Sequence, residues 1–269
     1  MRETLSVVMA VPHGSAAPEE ARQIFLAQLD AAAGDELLVE EGSAGELVPS
    51  LWARGIARSK GRIVALTLGS MTPDPGWGRA MREALSADLA GVGGAIEPEP
   101  AMRRLDWAIH LCRYSSYLLP FPDKDVKDLP GDNAVYRREA IEPLRETWKN
   151  GFWETEVDAA LLAGGRRLRV TPRMVVHQGR SADFSAFCRN RFRHGIASGR
   201  HRARLFALPG RLLRALFFPA AAAAMLLRIR RRSEERGRAA GFRRGLPYLA
   251  VFLLVWSLGE AIGYVKGDR

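Results

Sequence analysis

The chain has 269 residues, of which 47% are hydrophobic and 26% are charged, and its net charge is +10. This composition excludes a wholly disordered chain or a collagen-like fibre, and the length suits one domain of about 200 residues with an appendage. The two cysteines, Cys112 and Cys188, exclude a disulfide framework and indicate a reducing compartment.

Strands and helices alternate over the first 70 residues. In chain order, the sequence predicts a strand at 5–11, a helix at 19–33, a strand at 37–39, a helix at 48–59 and a strand at 63–68. Such an order with short connections predicts a parallel sheet covered by helices. Ligands of such sheets bind beyond the carboxyl ends of the strands. Those ends are residues 12–14, 40–43 and 68–71.

The pattern changes after Gly94. The elements predicted there are a helix at 105–119, a loop at 129–133, a helix at 138–149, a helix that follows residues 151–158 and stops at Gly164, and a strand at 167–176 interrupted by Pro172. The apolar N-terminal stretch is too short for a signal peptide and is interpreted as the first strand, so we expect this end in the cytoplasm.

Positive charge is concentrated near the C-terminus. Residues 189–245 hold sixteen arginines against two acids. Nucleic-acid-binding domains usually carry their basic face on the folded body, with aromatic residues between the charges. Here the basic stretch lies beside apolar runs, which favours anionic membrane lipids as partners and not nucleic acid. A solvated arginine-rich linker is the alternative.

Two apolar segments follow residue 203. The first, at 216–227, lies between arginines that bracket 13 residues, about 20 Å of helix, which is short of a bilayer core of about 30 Å. The second, at 246–264, measures about 28 Å with Glu260 as its only charge, so it could span. We expect the first segment to be interfacial or re-entrant, with a basic loop at 228–244 in the cytoplasm. Buried helices of a soluble protein are the alternative.

Six segments together resemble bacterial family 2 glycosyltransferases, which have the GT-A fold. They are Ser6-Val-Val-Met-Ala-Val-Pro12, Leu38-Val-Glu-Glu-Gly-Ser43, Ala53-Arg-Gly-Ile-Ala-Arg-Ser-Lys-Gly-Arg-Ile-Val-Ala-Leu66, Pro73-Asp-Pro-Gly-Trp77, Pro130-Gly-Asp-Asn-Ala-Val-Tyr-Arg-Arg138 and Trp153-Glu-Thr-Glu156. The resemblance implies an α/β fold with a mostly parallel central sheet and flanking helices. It assigns residues 1–202 to a GT-A domain and 203–269 to membrane-associated helices.

The resemblance implies an inverting transfer of a sugar from a nucleotide-sugar donor. In such a reaction a carboxylate takes the proton of an acceptor hydroxyl, which attacks the anomeric carbon as the nucleoside diphosphate leaves. Glu154 occupies the position of the family's catalytic acid, and Glu156 is the second choice because the alignment can slip by two residues. An acid favoured by the helix dipole is the structural alternative for Glu154.

Further site residues follow from the same resemblance. Pro12, Glu40 and Arg54 match positions that line the nucleotide pocket, and Arg191 matches an arginine that contacts the pyrophosphate. Glu40 and Arg54 have structural alternatives, as a strand end and a solvated helix residue.

The acceptor side and the diphosphate side complete the expected site. Asp132 and Asn133 lie in the loop that faces the acceptor in the family, although both are also ordinary turn formers. His177 matches a histidine that can reach the diphosphate or a metal, and a structural histidine is the alternative.

The sequence departs from the family at its metal-binding acidic motif. The expected carboxylate positions read Leu68-Gly69-Ser70-Met71, and Asp74 is the nearest acid. Because Mg²⁺ and Mn²⁺ prefer oxygen ligands that include carboxylates, three alternatives are open. Arginines and helix termini neutralise the diphosphate, the metal is held by other residues, or transfer is lost.

Two hypotheses follow. The first is a glycosyltransferase at the inner membrane, facing the cytoplasm, that acts on a lipid-linked or envelope-glycan acceptor. The second is a catalytically inactive relative that binds a nucleotide sugar or a partner there.

Overall fold

The computed structural model describes residues 3–15, 19–179 and 183–267. The strands are β1 (Leu5–Val11), β2 (Glu36–Glu41), β3 (Ile63–Leu68), β4 (Met71–Pro73), β5 (Leu89–Pro98), β6 (Lys124–Asp125), β7 (Asn133–Arg137) and β8 (Arg167–Gln178). The helices are α1 (Glu19–Leu26), α2 (Val48–Arg58), α3 (Trp77–Ala84), α4 (Arg104–Tyr114), α5 (Arg138–Ile141), α6 (Arg145–Trp148), α7 (Glu154–Ala163), α8 (Phe184–Ala203), α9 (Leu208–Leu216), α10 (Phe218–Glu235) and α11 (Ala239–Lys266), with short 3₁₀ turns at Ala31–Ala33 and Glu142–Leu144.

The chain divides into two compact units. The first comprises Met1–Glu99 and Tyr117–Gly179, and the second comprises Pro100–Ser116 and Arg180–Arg269. This division differs from the expected boundary at residue 202. Helices α4 and α8, which the sequence placed in the GT-A domain, belong to the second unit because they pack on α11.

The first unit is built on one sheet with the strand order β2-β1-β3-β7-β5-β8-β4, and β6 pairs with β8. β1 is parallel to β2 and β3, β5 is parallel to β8, and β7 is antiparallel to both of its neighbours. Five strands therefore run in one direction, while β4, β6 and β7 run in the other. The mostly parallel sheet expected from the sequence is confirmed.

The residue patterns of β1 and β3 agree with the position of these two strands in the interior of the sheet. Every residue of both strands is buried, which is typical of strands covered by helices on both faces. Val8 pairs with Leu38 of β2 and with Leu66 of β3. The carboxyl ends of the three strands therefore lie at the same edge of the sheet, where the sequence predicted the ligand site.

Glycines allow the helices of the second unit to pack closely. Gly195 and Gly199 of α8 face Gly259 and Gly263 of α11, and a Cβ at any of the four would overlap the backbone of the opposite helix. This spacing of small residues brings two helix backbones together. Both pairs are spaced four residues apart in the sequence, but none of the predictions made from the sequence used them.

Several predicted elements end earlier or continue further than expected. The helix predicted at 19–33 ends at Leu26, and the one predicted at 105–119 ends at Tyr114. The predicted basic loop at 228–244 is mostly helical, because α10 continues to Glu235 and α11 begins at Ala239. Arginine and alanine are strong helix formers, which favours this continuation.

Among the described residues, α11 is the one helix that is long and apolar enough to cross a membrane. Helices α9 and α10 pass the same test only as a pair, and they meet at an angle of 62°. The break falls at Phe217, just before Pro219, where proline removes a backbone donor. A core helix of a soluble protein also passes a test of length and composition.

Candidate active site

The loop that precedes β7 is fixed by the amide of Asn133, which is fully buried. Asn133 Oδ1 accepts a hydrogen bond from Trp77 Nε1 at 2.9 Å, and Nδ2 donates to the carbonyls of Ala95 at 2.8 Å and Met174 at 3.0 Å. The β5–β8 pairing shifts register between Gly93 and Ala95. A register shift of this kind disrupts the ladder and leaves backbone groups to be satisfied by side chains.

This geometry changes the role of Asn133. The sequence predicted a contact with acceptor hydroxyls, but both donors and the oxygen of the amide bond to groups of the protein itself. The residue therefore holds the loop in place. The predicted interruption of β8 at Pro172 agrees with the register shift, since proline cannot donate to a ladder.

A buried carboxylate holds the other end of the same loop. Asp158 of α7 is fully buried, and it accepts hydrogen bonds from Leu129 N at 2.6 Å and from Tyr136 Oη at 2.9 Å. Burial, together with the charge of Asp128, raises the pKa of Asp158 from 3.8 to about 7, while the two hydrogen bonds oppose this shift. Helix α7, the loop and β7 are thus joined through one side chain.

Glu154 lies one turn before Asp158 on the same helix, at its first residue. Its carboxyl group lies directly over Gly131, where an added Cβ would overlap the Glu154 side chain. Glu154 is half-buried. It is one of two acids in the first turn of α7, the end of a helix where negative charge is stabilising.

Glu154 belongs to a small acidic and phenolic cluster. Burial and the neighbouring charges of Asp128, Glu154 and Asp158 raise the pKa of Tyr117, whose hydroxyl donates to Asp128 at 3.2 Å. Burial, Asp158 and Glu154 likewise raise the pKa of Tyr136. Both phenols therefore remain protonated at neutral pH, and they can donate hydrogen bonds to carboxylates.

The second choice for the base lies elsewhere on α7. Glu156 is two residues after Glu154, which places it about 200° around the helix. The two carboxylates therefore point in different directions, and the one over Gly131 belongs to Glu154. Asp132 follows Gly131 in the same loop and is buried. The structure thus brings Glu154 and Asp132 to one place.

Glu40, in β2, and Arg54, in α2, pair with each other. Buried Glu40 accepts hydrogen bonds from Arg54 Nε at 2.6 Å and Arg58 Nη1 at 2.8 Å. Arg54 also donates to Glu46 at 2.8 Å and to the carbonyl of Glu41 at 2.9 Å. The hydrogen bond to Glu40 is the main cause that raises the pKa of Arg54.

These contacts show that the acidic group of the predicted nucleotide pocket already has partners within the protein. The carboxylate of Glu40 is neutralised by two guanidinium groups, so a nucleobase would have to share it with them. Pro12 ends β1 beside this cluster, and a Cβ at Gly42 would lie 3.5 Å from its Cα. The structure therefore brings Pro12, Glu40 and Arg54 to one edge of the sheet, and their contact with a nucleotide stays a prediction.

The end of β3 does not fit a divalent cation. Leu68 and Met71 are buried apolar residues, and no carboxylate replaces them. Asp74, in the turn after β4, contacts His177 of β8, with 2.8 Å between Oδ1 and Nε2. Within residues 3–15, 19–179 and 183–267, no group of three or more His, Cys, Asp or Glu side chains could hold a metal ion. The histidine predicted to reach a metal is instead paired with one carboxylate.

Arg191 lies in the second unit. Its guanidinium stacks on Trp256, 4.3 Å from the ring centroid, and on Phe187 at 5.7 Å, and Nη1 lies 3.9 Å from Cys112 Sγ. These contacts place the arginine among the aromatic side chains of α8 and α11. Its contact with a pyrophosphate stays a prediction.

Comparison with known proteins establishes the fold. No protein-family model matches the chain, and no curated protein matches it either. The chain is similar to the mannosyltransferase PcManGT from Pyrobaculum calidifontis, solved with GDP-Man and Mn²⁺, with a TM-score of 0.52 and 16% identity over 95% of this chain and 86% of that one. GalNAc-T7, solved with UDP, GalNAc and Mn²⁺, gives a TM-score of 0.48 and 12% identity over 67% of this chain and 44% of that one. At sequence identities this low, a structural match shows only a shared fold. The TM-score of GalNAc-T7 is below 0.5, so that match does not establish the fold.

The chain therefore has the α/β fold of a GT-A glycosyltransferase, as the sequence predicted. Sequence reasoning missed three residues of the site, namely Asp158, Tyr117 and Tyr136. One signal was present for Asp158, since it follows Glu154 by four residues and lies between the apolar residues Val157 and Leu161. An acid on the apolar face of a helix indicates a buried polar contact.

We expect the pH dependence of stability to reveal the buried carboxyl group. Because the pKa of Asp158 is higher in the folded state, the folded state binds this proton more tightly, and stability falls as the pH rises from about 4 to 7. Asp158→Asn is similar in size and has no group that titrates here, so the stability of the wild type should fall by about 4 kcal/mol relative to that of the variant across that range. Chemical denaturation of both proteins from acid to neutral pH measures the difference.

The exposed residue Asp123 supplies a control. The variant Asp123→Asn should leave the pH profile of the wild type unchanged. A constant difference between Asp158→Asn and the wild type at every pH would contradict a raised pKa.

Proposed function

We propose that this protein is an inverting glycosyltransferase of the bacterial family 2 type, which moves a sugar from a nucleotide sugar to a lipid-linked or envelope-glycan acceptor. The observation that carries the proposal is the Glu154 carboxyl group, held over Gly131 at the start of α7 in a GT-A fold. The mannosyltransferase with this fold was solved with a nucleotide sugar, GDP-Man. This chain takes a donor of the same chemical class.

The reaction needs one base. The Glu154 carboxylate accepts the proton of an acceptor hydroxyl, and that oxygen forms a bond to the anomeric carbon of the sugar. The bond between this carbon and the phosphate oxygen breaks on the opposite face, and the nucleoside diphosphate leaves with the electron pair. Asp158 acts as a positioning residue, because it fixes the backbone of Leu129 beside the loop that Glu154 contacts.

The donor binds at the edge formed by Pro12, Glu40 and Arg54. Glu40 offers carboxylate oxygens to a base or ribose group only where they are not already used by Arg54 and Arg58. The residues at the end of β3 do not fit a metal ion, so no step is assigned to one. His177 can donate a hydrogen bond to a phosphate oxygen if it releases Asp74.

A second function is favoured by one observation. Leu68 and Ser70 stand where the family has its acidic motif. A chain that has lost this motif and kept the pocket would bind a nucleotide sugar without transferring it. Binding and turnover therefore have to be measured separately.

Calorimetric titration with a panel of nucleoside diphosphates and nucleotide sugars, with and without Mg²⁺ or Mn²⁺, tests the pocket. We expect one nucleotide to bind, and we expect Glu40→Gln to weaken its binding about tenfold or more, because the neutral amide offers one acceptor where the carboxylate offers two. No binding of any nucleotide would exclude both functions. Binding without release of a nucleoside diphosphate in the presence of acceptors would favour the inactive relative.

Two variants near the loop test the base. Glu154→Gln cannot accept a proton, and we expect it to retain donor binding and lose about 100-fold or more of the transfer rate. Gly131→Ala places a methyl group where the Glu154 carboxyl lies, so the rate should fall in this variant as well. Release of nucleoside diphosphate from the donor measures both.

Gly164→Ala is the matched control, since an added Cβ there meets only ordinary contacts at 3.4 Å and beyond. It should retain the wild-type rate. Full activity of Glu154→Gln would remove Glu154 from the mechanism and leave Glu156 to be tested in the same way.

We propose that the second unit attaches the protein to the inner membrane. Exposed apolar side chains cover α9 and one face of α11, with exposed fractions of 73% at Leu216 and 45% at Leu254. A soluble monomer rarely exposes a contiguous apolar face of this kind. Such helices bind in the interfacial region of a bilayer, and neighbouring arginines contact anionic headgroups.

The packing of α11 favours attachment to one surface of the membrane over a span. α8 lies beside α11 through the paired glycines and the contact between Phe187 and Phe252. It carries exposed arginines, among them Arg193 and Arg200. Each arginine taken to the bilayer centre costs at least about 2.5 kcal/mol. The GT-A unit then remains on the cytoplasmic side.

Two acidic substitutions test this attachment. Leu212 and Leu216 are exposed on α9, and burying a leucine is worth about 1.5–3 kcal/mol. We therefore expect Leu212→Asp/Leu216→Asp to bind anionic vesicles about 100-fold more weakly in a flotation assay. Leu26→Asp, at an exposed leucine of the first unit, should float like the wild type. Equal flotation of all three proteins would contradict attachment through α9.

A further inference from the structure

A cleft of about 420 Å³ in the second unit is lined by arginines. Arg104, at the start of α4, and Arg243 and Arg244, in the second turn of α11, form its walls together with Ala240 and Pro247. The lining contains no aspartate or glutamate. Three positive charges thus face one open volume with no acid among them.

The three guanidinium groups make no hydrogen bond or ion pair within the described part of the chain. Arginines of the neighbouring helix α10 behave differently. Arg230 bonds to Glu234 and Arg231 bonds to Glu235, each at 2.8 Å. Like charges repel at short range, so the three arginines of the cleft destabilise one another. A bound anion would offset this repulsion.

Close packing of α4 and α11 holds these arginines together. A Cβ at Gly241 would overlap the Trp107 ring, and a Cβ at Gly245 would lie 2.8 Å from Ala108 N. The two helices therefore pack closely on both sides of Arg243 and Arg244, through the Trp107 ring on one side and the backbone at Ala108 on the other. Their separation cannot increase without loss of these contacts, so the charges stay close in the absence of a ligand.

The cleft lies at one end of the apolar face of α11. Pro247, Val251, Leu254 and Leu258 follow Arg243 and Arg244 at steps of three or four residues, which places them on one side of the helix. The last three of these side chains are exposed. Charge at one end and apolar surface along the next four turns, about 21 Å from Arg244 to Leu258, match a molecule with an anionic head and a hydrocarbon chain.

We infer that this cleft binds the phosphate group of a membrane lipid, with Arg104, Arg243 and Arg244 as its donors and the apolar face of α11 against the lipid chain. Guanidinium groups suit this role, because their planar forks donate two hydrogen bonds to phosphate oxygens. The inference rests on the proposed membrane attachment and adds to it a single site with a defined ligand.

Calorimetric titration of the full chain in detergent with a short-chain phosphatidic acid tests the site. We expect saturable binding at one lipid per chain, and we expect Arg243→Gln/Arg244→Gln to weaken it by about tenfold or more for each arginine replaced. Arg193→Gln/Arg200→Gln removes the same charge from exposed positions of α8 and should bind the lipid like the wild type.

Two soluble probes separate the parts of the ligand. Glycerol 3-phosphate and a short-chain diacylglycerol should each bind more weakly than the phosphatidic acid. If glycerol 3-phosphate binds equally well, the cleft is a site for free phosphate esters and the lipid assignment is wrong. Equal loss in both arginine pairs would overturn the site and leave only diffuse attraction.

Vesicle flotation distinguishes a failure of the lipid site from a failure of the proposed membrane attachment. If the wild type floats with anionic vesicles while both arginine variants bind the short-chain lipid like the wild type, the attachment stands and the cleft is excluded. If the wild type does not float, the attachment itself is wrong.

Discussion

The loop at 129–133 depends on two buried polar side chains, and the candidate site depends on that loop. Asn133 joins it to Trp77, β5 and β8, and Asp158 joins its other end to α7 and β7. Polar groups are costly to bury unless they are hydrogen-bonded. Each of these side chains has its partners in the loop or beside it, so a shift of the loop would leave several groups unsatisfied at once.

This constraint explains how Glu154 is positioned. The residue begins α7, and the same helix supplies Asp158, so the anchor of the loop and the expected base belong to one rigid element. A base has to lie within hydrogen-bond reach of the proton it takes. The burial that fixes Asp158 in this position also raises its pKa. The protein is therefore less stable at neutral pH than it would be without this buried acid, while the acid holds the site in its geometry. Shifted pKa values are common at functional sites.

The second unit follows a different rule. Helices α8 and α11 meet through glycines, with their backbones in contact, and many of the arginines of this unit are exposed. Apolar residues are left exposed on α9 and on one face of α11. Backbone contact between helices and an exposed apolar face are both common where lipid replaces water as the solvent. Such a unit would complete its burial against a bilayer.

The sequence by itself determined the alternation of strands and helices and the parallel half of the sheet, because these follow from apolar periodicity. Its resemblance to a known family made Glu154 the proposed base. The sequence did not determine which polar residues are buried. Asn133 looked like a turn residue that faces an acceptor, and Asp158 was not singled out, since burial depends on contacts between residues that are 22 to 56 positions apart. Nor did it place Arg104 beside Arg243, because α4 and α11 are far apart in the chain and meet only where Gly241 and Gly245 of α11 pack on Trp107 and Ala108. Local pattern sets the elements, while long-range packing decides which of their side chains share one site.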